Sequence, residues 1–128
     1  MGPAVQNTHL LDITEVQPFS PEDPRDAQCF EEVARVLASY GFSDRFGVCL
    51  LHKHFDVMSD ERLVESCDFT NRTLTTAPYK REDLPPGGRL METSWSVKLG
   101  HRGVPEVSCE TYCREDSDGH DLRHKKDR

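Results

Sequence analysis

The chain has 128 residues, 35% hydrophobic and 30% charged, with a formal net charge of -7. That length suits one domain able to bury enough surface to stand without disulfides or a structural metal. The acidic balance argues against wrapping nucleic acid or coating an anionic membrane, because affinity for a polyanion comes mainly from Lys and Arg.

No run reaches the roughly 18 apolar residues of a membrane span, and residues 1–11 have neither the basic start nor the apolar stretch of an export signal. Five cysteines, an odd and scattered set, read as reduced thiols packing as small apolar groups. The expectation is a cytoplasmic protein with an extended Pro-containing arm at 1–26, an α+β body at 27–113 and a charged tail at 114–128. Ten of the last fifteen residues are charged.

In chain order, the arm carries Pro3, Pro18, Pro21 and Pro24, with Leu10, Leu11, Ile13 and Val16 apolar enough to lie against the body. From Ala27 to Tyr40, Cys29, Phe30, Val33, Val36, Leu37 and Tyr40 recur at helical spacing and predict an amphipathic helix. Asp26 is placed to cap its start and Gly41 to end it. The run Arg45 to Phe55 is apolar on both alternating faces before it turns polar, and predicts a central strand covered on two sides.

Arg62 to Phe69 and Asn71 to Thr76 read as two further strands around a turn, and residues 77–88 as a Pro- and Gly-rich break. Met91, Thr93, Trp95, Val97 and Leu99 alternate with polar residues, the pattern of a half-buried antiparallel strand. Gly100 to Gly103 is then a turn and Val104 to Tyr112 the returning strand. The predicted fold is α+β, one main amphipathic helix packed on a small, mostly antiparallel sheet of about four to five strands.

Two clusters carry candidate chemistry. His52 and His54, two apart on a strand, share a face with Cα atoms about 6.5 to 7 Å apart. Such a pair can hold one metal ion, or one ring can act as general base while the other binds an anion. Asp56 continues the parity as a third ligand or as an orienting carboxylate. A strand that simply turns polar on leaving the core explains the same residues.

Cys109, Cys113, His120 and His124 form the second cluster, a ligand set that zinc takes tetrahedrally and that would pin the tail. The six residues between Cys113 and His120 are too few for a DNA-reading finger. Both cysteines reach one ion only if the chain turns near Glu110 to Cys113, since four residues of extended strand span about 13 Å. A charged tail following a buried cysteine is the plainer alternative. Trp95, the single tryptophan, is either core or a platform for a flat ligand, and the loop Pro85-Pro86-Gly87-Gly88 either closes a pocket or is an ordinary turn.

The residues Gly47-Val48-Cys49-Leu50-Leu51-His52-Lys53-His54-Phe55, with Gly119-His120 and the cysteines, resemble small uncharacterised proteins of filamentous fungi. The resemblance implies a fungal source and an intracellular accessory role, and supplies no activity. Three functions stay open: a ligand- or metal-binding protein anchored on His52 and His54, with zinc the candidate metal; a cofactor-free enzyme moving a proton on a small molecule through those histidines and Asp56; and a non-catalytic interaction module.

Overall fold

The computed structural model describes residues 4–84 and 90–114. The fold is α+β: one helix, α1 (Pro24–Tyr40), and a four-stranded mixed sheet of β1 (Glu61–Asp68), β2 (Thr73–Lys80), β3 (Leu90–Leu99) and β4 (Pro105–Arg114) in the order β2-β1-β4-β3. The chain divides into two compact units, Leu10–His54 and a second one combining Met1–His9 with Phe55–Arg128.

The unit Leu10–His54 contains the helix. Asp23, in extended conformation, caps it by accepting a hydrogen bond from the Arg25 N–H, and Pro24 takes the first helical position, where its missing N–H costs nothing. The cap is therefore Asp23 and not Asp26, which sits inside the first turn and accepts the Ser20 N–H instead. At the other end Gly41 adopts φ 74°, and the Gly41 and Phe42 N–H groups donate to the Ala38 and Leu37 carbonyls. This is the Schellman closure, and a glycine suits its left-handed residue. Among the described residues none on the helix is buried, and its apolar stripe leaves Phe30 and Val36 exposed. Phe30 does stack on Phe19, with ring centroids 4.3 Å apart.

Beyond Gly41 the expected central strand does not form. Arg45 and Phe46 are drawn into a turn whose N–H groups both donate to the Phe42 carbonyl, and the Arg45 guanidinium lies over the Phe42 and Phe46 rings at 4.8 and 4.6 Å. The start of the apolar run is thus spent on an aromatic–cation cluster. Further along, among the described residues only Lys53 is bridged: its N–H donates to the Leu11 carbonyl and its carbonyl accepts the Ile13 N–H. Val48, Leu50 and Leu51 are exposed. An apolar run becomes a strand only where a neighbouring backbone supplies a ladder, and here just one bridge is supplied.

The sheet belongs to the other unit and is built from two hairpins. In the first, Glu61 to Asp68 pair antiparallel with Lys80 to Thr73, so that Glu61 faces Lys80 across the strands. The turn is tied by the Asp68 carboxylate, which accepts the Asn71 backbone N–H at 3.1 Å and its side-chain amide at 2.7 Å, while Arg72 takes φ 56°. Residues 77–80, expected in the break, extend β2. Pro78 is tolerated there because β2 is an edge strand, with one side free of ladder bonds among the described residues.

In the second hairpin β3 and β4 pair antiparallel, with an irregularity at Thr93 and Glu110 after which the original register resumes at Trp95 and Cys109. β1 and β4 join the hairpins in parallel at Val64–Tyr112 and Glu65–Cys113. The alternation in β3 is present, but its covered residue is Ser96, 8% exposed, whereas Val97 and Leu99 are 67% and 75% exposed.

Among the described residues the buried apolar core of this unit is small: Val57, Val64 and Cys113. Part of it is closed by the arm. Residues Ala4 to Asn7 run beside Val57 to Ser59, where the Gln6 N–H donates to the Val57 carbonyl and Ser59 N–H to that of Ala4. Asn7 is buried, accepting the Val57 N–H at 3.0 Å on Oδ1 and donating to the Phe55 carbonyl at 3.1 Å from Nδ2. A buried amide that satisfies two backbone groups in this way replaces a short ladder.

Candidate functional site

His52 and His54 meet. Their ring centroids lie 4.9 Å apart with the planes at 87°, edge to face. His52 is half-buried and His54 exposed. The His52 Nδ1 atom is 2.7 Å from the Leu50 carbonyl oxygen. A carbonyl only accepts, so Nδ1 carries the proton, and the lone pair of a neutral ring in this tautomer is on Nε2. Both histidines belong to the unit Leu10–His54, and Asp56 belongs to the other.

The cysteines of the second expected cluster do not converge. Cys109 and Cys113 both lie in β4, which stays extended from Pro105 to Arg114 through its irregularity at Glu110, so the turn that zinc ligation needs between them is absent. Burial pushes each thiol up to about 11, with neighbouring carboxylates adding to the effect, Glu92 for Cys109 and Glu65 for Cys113. Thiols held protonated are poor ligands and poor nucleophiles. The Cys113 thiol donates to Glu65 Oε1 at 2.9 Å and lies 3.5 Å from the Thr93 hydroxyl, and that of Cys109 donates to the Thr111 carbonyl. These contacts make them packing residues of the sheet. His120, His124 and the loop Pro85-Pro86-Gly87-Gly88 lie outside the described residues. Among the described residues, no group of three or more His, Cys, Asp or Glu is placed to hold a metal ion.

Trp95 is half-buried and its indole N–H donates to Glu92 Oε1 at 2.9 Å. Close by in the chain is a polar group that the sequence did not announce. Glu110 Oε2 accepts the Ser96 hydroxyl at 2.6 Å and lies 2.7 Å from His9 Nε2. Ser, Glu and His together suggest a hydrolytic triad, but the order is wrong. Here the carboxylate sits between serine and histidine, so the imidazole cannot take the serine proton. The group fastens His9 of the arm to β4. No local signal marks it, because His9 and Glu110 stand 101 positions apart.

No described helix is long and apolar enough to cross a membrane. Comparison of the chain with protein-family models, with curated proteins and with solved structures yields no match, so the residues above are the whole basis for a functional reading.

Proposed function

We propose that the chain is a small metal-binding protein whose anchor is the imidazole pair His52 and His54. The observation that carries this reading is the Nδ1–H bond from His52 to the Leu50 carbonyl beside a second ring at 4.9 Å. Metal-ligating histidines characteristically spend one ring nitrogen on a carbonyl or carboxylate, which fixes the tautomer and aims the other nitrogen at the ion. Two neutral imidazoles suit Zn, Cu or Ni in preference to Mg or Ca, and water or donors of a small-molecule ligand would complete the coordination. The five cysteines are free thiols, which agrees with a reducing, cytoplasmic setting. Cys109 and Cys113 have no part in this site, and the enzyme reading gains no specific support.

Titration of the purified chain with Cu(II), Ni(II) and Zn(II), followed by calorimetry, tests the proposal. One ion per chain is expected, with Cu(II) tightest, and a loss of at least about tenfold in affinity in His52→Ala and in His54→Ala. Binding unaffected by both substitutions would overturn it.

A further inference from the structure

Cys49 is the cysteine nearest the imidazole pair in the chain, three residues ahead of His52, and its side chain is exposed. Its thiol donates to the Leu50 carbonyl oxygen at 3.6 Å, and the same oxygen accepts the His52 Nδ1 hydrogen at 2.7 Å. One backbone oxygen thus holds the sulfur and the first ring side by side, while the second ring sits 4.9 Å from the first. All three side chains belong to the unit Leu10–His54, so their juxtaposition is local to one segment. Cys29, the other exposed thiol of this unit, lies on α1 with no histidine in that helix.

We infer that Cys49 is a third protein ligand of the ion held by His52 and His54, an inference that rests on the reading of that pair as a metal anchor. As folded, the three donors are not gathered about one point. Ligation at about 2.3 Å to sulfur and 2.0 Å to nitrogen requires them to come within roughly 4 Å of one another. Little resists that movement. The thiol gives up only a weak bond, since S–H is a poor donor, and an exposed side chain leaves no packed site behind. Residues 46–52 lie in neither helix nor strand, and a Cβ placed on Gly47 would meet nothing within 4 Å, so the backbone has room to follow. His52 keeps its Nδ1 hydrogen on the Leu50 carbonyl and ligates through Nε2. The thiol releases its proton to solvent and binds as thiolate. One thiolate with two neutral imidazoles favours Zn(II) over the hard cations Mg(II) and Ca(II), and leaves a fourth tetrahedral position for water or an anion.

Alkylation of the full chain by iodoacetamide with and without Zn(II), read by peptide mass spectrometry, tests this. Zn(II) is expected to slow the labelling of Cys49 by at least about tenfold and to leave that of Cys29 unchanged, and the combined variant His52→Ala with His54→Ala should lose the protection. Co(II) in place of zinc should show a thiolate-to-cobalt charge-transfer band in the near ultraviolet, absent in Cys49→Ser and kept in Cys29→Ser. An ion that binds through the histidines by calorimetry while Cys49 is alkylated at its zinc-free rate, or a band that survives Cys49→Ser, would overturn the inference and leave the histidine pair standing. A chain that binds no ion at all would overturn both.

Discussion

Cys113 donates its thiol hydrogen to the Glu65 carboxylate at 2.9 Å across the parallel seam that joins the two hairpins. Cys113 is 4% exposed, and the contact sits where β1 and β4 have their two paired positions. Cys113→Ala removes both the sulfur and the donor to Glu65. The expected loss is about 1–3 kcal/mol, seen as a lower urea midpoint with an unchanged slope. A change within about 0.5 kcal/mol would place the hairpins' junction elsewhere.

Stability has an alkaline limb set by the same strand. The Cys109 and Cys113 thiols titrate at about 11 in the folded chain against an ordinary 9.0. A raised folded value means their contribution is fully present below pH 9.0 and is lost as pH rises through about 11, because the unfolded chain then releases protons the folded one retains. Tyr112, raised mainly by burial, acts in the same direction. At the acidic end Asp68 is held below its ordinary 3.8, chiefly by the Asn71 backbone N–H. That contribution is present above 3.8 and lost as pH falls through the lowered value. Urea midpoints measured against pH should fall at both ends, and Asp68→Asn should flatten the acid limb.

Asn7 makes a separate prediction for the arm. Asn7→Ala leaves the Val57 N–H without its acceptor in a position 4% exposed, at a cost of about 1–3 kcal/mol. Asn7→Asp keeps that acceptor and loses the bond to the Phe55 carbonyl. Hydrogen exchange at the Val57 amide should accelerate strongly in the alanine variant and less in the aspartate one; equal protection in both would remove Asn7 from this role.

Thiol labelling under native conditions should divide the cysteines. Cys29 and Cys49 are exposed and should react first, while Cys109 and Cys113 should wait for unfolding. A single rate for all five would contradict the burial and the protonation of the β4 thiols.

What the sequence made legible was whatever local chemistry determines. Gly41 announces the helix stop because the closing turn wants a left-handed residue, and the alternation of Met91 to Leu99 announces β3 because a pleated strand has a period of two. The His52–His54 encounter followed from spacing alone: residues two apart stay close even though the segment is not a strand. Alternation gives a period but does not say which face is covered, and so Ser96 is buried while Val97 and Leu99 are exposed. The run Arg45 to Phe55 looked like a core strand because nothing in it shows that a ladder partner is missing, or that Phe42 will recruit Arg45. The cap lies one turn ahead of the apolar stripe that announces the helix at Ala27, because Pro24 is at home in the first helical turn and lets Asp23 cap it. Asn7 and Glu110 act across long separations, and no window of sequence contains both ends of their contacts.

The proposal that His52 and His54 anchor a metal ion is tested most directly by one measurement. Plasma mass spectrometry on the full chain, dialysed after loading with Cu(II), should find one ion per wild-type chain, close to none in the combined variant His52→Ala with His54→Ala, and an undiminished ion in Cys113→Ala. Metal retained by the double histidine variant, or none retained by the wild type, would contradict it.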